Sequence, residues 1–459
     1  MTGNIKYQPN WSSLDSRRIP SWFQSAKFGI FIHWGVYSVP AWRKISDERF
    51  GSYAEWYYAS VYSDYKNNDD DFHGRIYGKD FKYRNFVKDF KAELFDPDLW
   101  AEMFKEAGAR YVVLTSKHHE GYCMWPTTNK HKKNWRVTDV GPNRDLLGDL
   151  SAAVRKQGMK MGLYYSIIDW ETNWSHRPEG GYFVPERDRE LYGIDEDKYV
   201  DEILIPQLKE LVNTYKPALI FTDGGEWDFS EEDSKVKEFL AWLYNEAPNK
   251  NEVVINDRFC VGMPGKHGDY YSTEYRDIEG YGFIHPWEES RGIGKSYGFN
   301  RAENLWDYNT STELIHELIE IVSRGGNLLL NVGPTADGRI PVIQQQRLKD
   351  IGDWLNINGK AIYETMPSNR VQSKEKEIFI TETNKCNYVI CRKWFDDEIE
   401  IYISDGLKIK NISLIGYNGD IKYYQDGNAV KIESPIVSPN TYQNSHAYVY
   451  ELEIERKCE

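Results

Sequence analysis

Eight stretches of the chain carry the apolar pattern of buried strands, and most are separated by helical patterns. The clearest is ALIFTDGGEWDF, from Ala218 to Phe229, in which a continuous apolar run is followed at once by Thr222, Asp223 and two glycines. Such a run is typical of a strand that is buried on both faces of a parallel sheet. The other predicted strands are FGIFIHWG, RYVVLTSKHHEG, MKMGLYYS, EVVINDRF, DYYSTEY, a weak KSYGFNR around Tyr297, and NLLLNVG.

Amphipathic helices are predicted between these strands. One runs from about Asp195 to Tyr215 and ends before Pro217, ELIHELIEIVSR precedes the last strand, and a closing helix follows it. Strands that alternate with helices, joined by right-handed crossovers, leave few arrangements other than a (β/α)8-like TIM barrel. We therefore predict an α/β catalytic domain with this fold for residues 1–365.

The pattern changes after this barrel. From about Ser368 the chain shows short alternating segments, such as EIFITET, NYVICRKW and AYVYELEIE, which are separated by Gly, Asn and Asp. Alternation of period two with closely spaced turns is typical of antiparallel strands. We therefore predict a C-terminal antiparallel β-sandwich domain for residues 366–459.

Polar side chains follow the ends of several predicted barrel strands. In a parallel α/β barrel the strands end at one rim, and catalytic residues lie there. We therefore expect these side chains to lie close together, along with two residues from the loop after the first strand. The set is His33, His118, His119, Tyr165, Asp223, Arg258, Glu274 and Asn331, with Glu55 and Trp56 from the loop.

Asp223 and Glu274 form a candidate pair of catalytic carboxyl groups. A glycosidase needs one carboxyl group to attack or to activate water and a second to protonate the leaving oxygen, about 5 Å apart for retention and roughly 6.5–9.5 Å for inversion. Imidazoles, guanidinium and aromatic rings can bind sugar hydroxyls and ring faces. Each residue also has a structural alternative: Asp223 can shape the glycine turn, Arg258 can pair with Asp257, and His33 can be a core histidine. Their number at one rim favours an active site.

His118 and His119 are also candidate metal ligands. Adjacent residues of a strand point to opposite faces, so both imidazoles reach one ion only if the strand carries a bulge. We therefore predict a site with no metal and no other cofactor.

Composition narrows the class of partner. The formal net charge is −14 and the pI is near 5.4, which argues against nucleic acid or an anionic membrane as a partner, since both need a basic surface, and favours a neutral substrate. Aromatic residues make up 15% of the chain, and such rings suit sugar binding. The five cysteines lack CxxC spacing, so neither a disulfide framework nor a zinc site is indicated.

The N-terminus, MTGNIKYQPNWSSLDSRR, lacks the apolar core of a signal peptide, and no other run approaches the length of a membrane span. The sequence as it stands predicts a soluble cytoplasmic protein, or a secreted one if a signal segment has been removed. The sequence leaves open whether the chain forms a homo-oligomer.

Six motifs together resemble the α-L-fucosidases of glycoside hydrolase family 29, over roughly Trp22 to Tyr363. They are FGIFIHWG, LTSKHHEGYCMW, GPNRDLLGDL, FTDGGEW, PWEESRGIGKSYGFNR and GGNLLLNVGPTADG. The resemblance implies a barrel-like domain and a β-sandwich, and an exo-acting, retaining, metal-free enzyme that removes terminal α-L-fucosyl residues with Asp223 as nucleophile. It also implies a set of fucose-binding residues: His33, Glu55, Trp56, His118, His119, Tyr165, Arg258 and Tyr297.

The resemblance leaves two candidates for the general acid/base. Glu274 matches the STEY-like segment of the most similar members, whereas Glu288 matches the WE motif that other members use, and we choose Glu274. From the residues alone, three other functions stay open: a silent fucose-binding protein, a metal-dependent hydrolase, and a barrel glycosidase for another sugar such as β-D-galactose. The first would lack the carboxyl pair that this chain carries.

Overall fold

Eight parallel strands form the central sheet of the N-terminal region. The computed structural model describes residues 6–48, 50–62, 72–171, 198–275, 285–438, 442 and 444–456. The strand order is β5-β4-β3-β2-β1-β8-β7-β6, so that the first and last strands pair and the sheet curls. The strands are β1 Phe28–Ile32, β2 Tyr111–Lys117, β3 Lys160–Ser166, β4 Leu219–Asp223, β5 Val254–Ile255, β6 Tyr271–Glu274, β7 Trp287–Gly292 and β8 Asn327–Val332.

The two ends of this sheet, β5 and β6, meet through the backbone that precedes β6. The amide groups of Asp269 and Tyr270 donate to the carbonyl oxygen of Ile255 at 2.9 and 3.4 Å. The curled eight-stranded sheet confirms the predicted (β/α)8-like fold class.

Helices surround the sheet, although residues 256–270 join β5 to β6 without one. The start of the helix predicted from Asp195 lies outside the described residues, and its described part is a π-helical turn, Val200–Leu204, followed by α7. The α-helices are α1 Trp11–Leu14, α2 Ser21–Ala26, α3 Tyr57–Tyr62, α4 Phe72–Ile76, α5 Pro97–Glu106, α6 Leu146–Lys156, α7 Ile205–Tyr215, α8 Gly225–Asp228, α9 Glu231–Ser234, α10 Val236–Asn245, α11 Ser311–Ser323 and α12 Val342–Asn358.

The seventh strand was wrongly predicted. KSYGFNR forms no strand, and β7 is WEESRG, Trp287–Gly292, which pairs with both β6 and β8. Glu288 and Glu289 in this strand are fully buried, so the strand carries two carboxyl groups and lacks the apolar run by which the other buried strands were predicted. The Tyr111 hydroxyl group donates to Glu288 on the inner face, whereas Glu289 on the outer face accepts from the Thr273 hydroxyl group and forms an ion pair with Arg291 at 3.0 Å.

Side-chain alternation decides what the barrel encloses. In β4, Leu219 and Phe221 belong to the inner cluster of the barrel, whereas Ile220 packs in the layer between sheet and helices. Because successive strand residues point to opposite faces, Asp223 lies on the inner face at the end of β4. The same reasoning places His33 on the inner face, two positions after the inner residue Phe31.

The C-terminal region consists of two antiparallel sheets, in the orders β10-β13-β16-β15 and β14-β17-β12-β11-β9. Inward residues of both sheets, among them Val389, Ile401, Val430 and Leu452, form one apolar cluster, as in a β-sandwich. The boundary at residues 365/366 stays a prediction. The strands are β9 Met366–Pro367, β10 Val371–Gln372, β11 Ile378–Glu382, β12 Cys386–Cys391, β13 Glu398–Ile403, β14 Leu407–Leu414, β15 Tyr423–Asp426, β16 Ala429–Glu433 and β17 Tyr448–Arg456.

Every helix in the described part of the chain is too short or too polar to cross a bilayer.

A buried ion pair fastens the junction between β5 and β6. The Arg17 guanidinium donates to both oxygens of Asp269 at 2.8 and 2.9 Å, and to the carbonyl oxygens of Lys250 and Val253. The same carboxylate accepts the amide of Ile255 at 2.9 Å. Asp269 therefore links the N-terminal segment, β5 and the start of β6.

Replacing Arg17 by leucine should leave the buried carboxylate of Asp269 without its cationic partner. Removal of one partner from a buried pair costs about 3–5 kcal/mol of unfolding free energy. The measurement is urea unfolding followed by tryptophan fluorescence. Lys156→Ala removes the exposed ion pair with Asp98 and serves as the control, expected to cost about 0–1 kcal/mol. Equal losses in the two variants would contradict this role of Arg17.

The buried Glu288 should make stability depend on pH. Burial raises its pKa to about 8 from an ordinary 4.5, so the folded chain keeps this proton up to about pH 8 while the unfolded chain releases it above pH 4.5. Folding of the parent is therefore weakened as pH rises from 4.5 to 8. Glu288→Gln is always neutral and keeps an acceptor for the hydroxyl group of Tyr111.

We expect Glu288→Gln to gain stability relative to the parent between pH 5 and pH 8, by at most about 1.4 kcal/mol per pH unit. Urea unfolding at several pH values measures the difference. The exposed Glu106→Gln is the matched control and should show no such trend. A pH-independent difference for Glu288→Gln would rule out a retained proton.

Candidate active site

Asp223 lies at the inner rim of the barrel, at the end of β4. Its side chain is 15% exposed. Oδ2 accepts a hydrogen bond from the Tyr164 hydroxyl group at 2.9 Å and lies 3.5 Å from His119 Nε2, while Oδ1 accepts from Arg258 at 3.2 Å. Burial raises the pKa of Asp223, opposed by Arg258 and reinforced by the charge of Glu274. Both oxygens of the carboxylate are therefore held by neighbouring side chains at the barrel rim.

Glu274 ends β6 at the same rim. Its side chain is 20% exposed, and its Oε1 accepts a hydrogen bond from the Tyr53 hydroxyl group at 2.7 Å. Oε2 accepts from Arg258 at 3.2 Å. Tyr53 was missed in the sequence analysis, because nothing in its local pattern distinguishes it from the other aromatic residues of the loop after β1.

Arg258 joins the two carboxyl groups. A single nitrogen, Nη1, donates to Asp223 Oδ1 and to Glu274 Oε2, each at 3.2 Å. The distance between these two oxygens is therefore at most twice that length. The guanidinium is oriented by its Nε, which donates to the Ser272 hydroxyl group at 2.9 Å, and that hydroxyl in turn donates to Asp257. Burial disfavours the charge of Arg258, but Glu274 and Asp223 more than offset it and raise its pKa.

A third carboxyl group, Glu226, lies beside this pair. It follows the glycine turn in the short helix α8 and lies 4.0 Å from Arg258 Nε. Burial, and then the charge of Asp223, raises the pKa of Glu226 to about 8, so it is largely protonated at neutral pH. Its place three residues after Asp223, in the segment GGEW, was the sequence signal for this residue.

His33 and Tyr297 form an aromatic wall next to the carboxyl pair. Their rings stack with centroids 4.8 Å apart. His33 Nδ1 lies 2.7 Å from Asn331 Oδ1, and the Asn331 amide donates to the Tyr297 carbonyl oxygen at 2.6 Å. Burial holds the pKa of His33 well below its ordinary value, so the ring is neutral. Since Nδ1 donates to the amide oxygen, Nε2 is left as an acceptor.

His118 and His119 both reach the site, because the pairing of β2 with β3 shifts register between Thr115 and Lys117. His119 Nδ1 donates to the Ser166 hydroxyl group at 2.6 Å, which turns Nε2 toward Asp223. Burial lowers the pKa of His118 to about 3, so this ring is neutral. Among the described residues, no three His, Cys, Asp or Glu side chains are arranged to hold a metal ion.

Glu55 and Trp56 approach from a short 3₁₀ helix, Ala54–Trp56. Glu55 Oε2 accepts hydrogen bonds from the Gly298 amide at 2.8 Å and the Ser296 hydroxyl group at 3.1 Å, and burial raises its pKa to about 8. The Trp56 ring lies edge-on to His119, with centroids 5.7 Å apart. The loop after β1 is thereby fastened to the segment that follows β7.

The prediction of Tyr165 as a substrate-binding residue is corrected by the structure. Its side chain lies outside the barrel, where its hydroxyl group donates to Gln207 of α7 at 2.8 Å. The preceding residue, Tyr164, belongs to the inner cluster and contacts Asp223. The error has a simple cause, because two adjacent tyrosines differ only in the face that they occupy, and β3 is buried on both faces.

Glu288 lies away from the other predicted site residues. It is the second residue of β7, and its partner Tyr111 is the first residue of β2, at the opposite end of the strands from Asp223. The structure thus brings together Asp223, Glu274, Arg258, His33, His118, His119, Glu55, Trp56, Tyr297 and Asn331, and separates Tyr165 and Glu288 from them.

Comparison with known proteins identifies the family to which the chain is similar. The family described as Alpha-L-fucosidase matches residues 2–360. Tissue alpha-L-fucosidase of Bos taurus is 39% identical over 453 residues, which cover 97% of this chain and 91% of that protein. Tissue alpha-L-fucosidase of Homo sapiens is 38% identical over 452 residues, covering 97% and 92%.

Solved structures agree with the sequence match. The crystal structure of Thermotoga maritima alpha-fucosidase in complex with fucose has a TM-score of 0.80 and 35% sequence identity, over 97% of this chain and 100% of that chain. The structure of the same enzyme in complex with a mechanism-based inhibitor matches equally well, with a TM-score of 0.80. These findings confirm the resemblance seen in the motifs. The chain belongs to the α-L-fucosidase family of glycoside hydrolases.

Proposed function

We propose that this α-L-fucosidase removes terminal α-L-fucosyl residues with retention of configuration, using Asp223 as nucleophile and Glu274 as general acid/base. The observation that carries the proposal is the shared Arg258 nitrogen, which keeps the two carboxylate oxygens within twice 3.2 Å of each other. Retaining enzymes hold their carboxyl groups about 5–5.5 Å apart, and inverting enzymes need roughly 6.5–9.5 Å to fit a water molecule. The spacing favours direct attack by a carboxylate.

In the first step, the ionised Asp223 attacks the anomeric carbon while the bond to the leaving oxygen breaks. Glu274 gives its proton to that oxygen, and a fucosyl ester of Asp223 forms. In the second step, Glu274 takes a proton from water, the water oxygen bonds to the anomeric carbon, and Asp223 leaves as a carboxylate. Two inversions at one carbon restore the original configuration.

Arg258 supports both steps through its charge. Before reaction it stabilises Asp223 in the ionised form that attack requires, against the burial that raises the pKa of this carboxyl group. When the ester forms, the charge of Asp223 disappears, and Arg258 then stabilises the carboxylate that Glu274 becomes when it gives up its proton. The same guanidinium therefore stabilises the negative charge first on Asp223 and then on Glu274.

Neutral imidazoles suit the sugar hydroxyl groups. With Nδ1 engaged by Asn331, His33 presents Nε2 as an acceptor toward the site. Trp56 offers an apolar ring surface for a deoxy sugar beside His119. Fucose itself is assigned because the family acts on it, and the T. maritima enzyme of the same family is solved with fucose bound.

Asp223→Gly should lower turnover of an aryl α-L-fucoside by at least about 10⁴-fold, the scale seen when nucleophiles are removed. Added azide should restore turnover and give the β-fucosyl azide, because the small anion fills the space left by the carboxylate. NMR of the product identifies the anomer. A Gly variant with near-parental rates would exclude Asp223 as nucleophile.

Glu274→Ala should slow substrates with poor leaving groups by about 10²–10⁴-fold and activated aryl fucosides far less, because only the former need a proton. Steady-state kinetics with a series of aryl fucosides measures this dependence. Glu288→Ala is the matched control and should show no leaving-group dependence. If Glu288→Ala shows the dependence and Glu274→Ala does not, the assignment is reversed.

A further inference from the structure

The side of the site next to Glu274 must hold the group that departs from fucose. A general acid has to reach the glycosidic oxygen, so the rest of the leaving group extends from that oxygen on the acid's side. The residues that surround Glu274 therefore determine which glycans fit. His33 and Tyr297, in contrast, stack on each other in the buried wall of the site.

Phe50 lies on this side of the site. Its ring packs edge-to-face on the Tyr53 ring, with centroids 5.4 Å apart, and the Tyr53 hydroxyl group donates to Glu274. Tyr53 is only 5% exposed, whereas Phe50 is 40% exposed. One side chain thus separates Phe50 from the carboxyl group of Glu274, with Phe50 on the outer side.

The loop that carries Phe50 is fixed by polar contacts on both sides. Arg43 Nε donates to the Gly51 carbonyl oxygen at 3.2 Å, and the Asn300 amide donates to the Ser52 carbonyl oxygen at 3.1 Å. Lys295 forms an ion pair with Asp47 at 2.8 Å. The loop is therefore attached to the segment after β7 at several points.

Phe50 itself adopts a left-handed backbone conformation, with φ of 66°. This conformation is unfavourable for a large side chain and persists only where surrounding contacts impose it. Burial of the ring does not explain it, since the ring stays substantially exposed. A strained backbone that presents an aromatic ring to solvent beside an acid/base residue is consistent with a binding surface.

We propose that Phe50 forms a leaving-group subsite, in which its ring stacks on the sugar ring to which fucose is attached. An exposed aromatic face suits the apolar face of a pyranose, and a ring held by a fixed loop loses little freedom on binding. The inference rests on the proposed function, because it takes Glu274 as the acid. It assigns the enzyme to oligosaccharide substrates with a sugar in this position.

The test compares Phe50→Ala with the parent on α-L-fucosyl fluoride and on a panel of α-L-fucosyl disaccharides. Fluoride fills no leaving-group subsite, so kcat/KM on the fluoride should stay within about twofold of the parent. On the best disaccharide, kcat/KM should fall about 5–10-fold, in the range of a lost aromatic contact. Phe50→Trp keeps a ring at this position and should retain disaccharide activity.

Tyr424→Ala removes a 67% exposed aromatic side chain from β15 and is the matched control, with no expected effect on either substrate. Equal losses of Phe50→Ala on fluoride and disaccharides would mean that Phe50 only supports Tyr53 and Glu274, and would overturn the subsite. Unchanged kcat/KM on every disaccharide would overturn it as well. A parent inactive on fucosyl fluoride would instead refute the proposed function, and this inference with it.

Discussion

The site depends on one electrostatic arrangement, in which a single nitrogen of Arg258 lies between the carboxyl groups of Asp223 and Glu274. Two carboxylates this close repel each other strongly where water is largely excluded, and without a cation one of them would take up a proton. By lying between the pair, Arg258 offsets part of this repulsion and opposes the rise that burial gives to the pKa of Asp223.

This arrangement spans the junction between β5 and β6. Asp223 ends β4, Arg258 follows β5, and Glu274 ends β6. The backbone that precedes β6 donates two hydrogen bonds to the carbonyl oxygen of Ile255 in β5. The buried Asp269 and its partners reinforce the same junction below the rim. The ion pair of Arg17 with Asp269 and the hydrogen bond from Ile255 to Asp269 therefore add to the backbone hydrogen bonds that join β5 to the start of β6.

Much of the site was predictable because parallel strands end at one rim. Residues that directly follow a strong apolar run, such as His33 and Asp223, were assigned from that rule alone. Contacts between distant loops were not predictable: Tyr53 reaches Glu274 across more than two hundred residues, and Glu55 is held by Gly298. Local patterns carry no information about such pairs, because the contacts arise only when the barrel brings the loops together.

The sequence by itself determined the fold class, the nucleophile candidate and most of the polar rim, since apolar runs and their abrupt ends follow from which strands must be buried. The tertiary structure decided the rest. It chose Tyr164 over Tyr165, because adjacent strand residues differ only in the face that packing assigns to them. It also revealed a seventh strand with two buried glutamates. Local patterning did not indicate this strand, because a carboxyl group is buried only where a retained proton or partners supplied by the folded structure compensate for the loss of water.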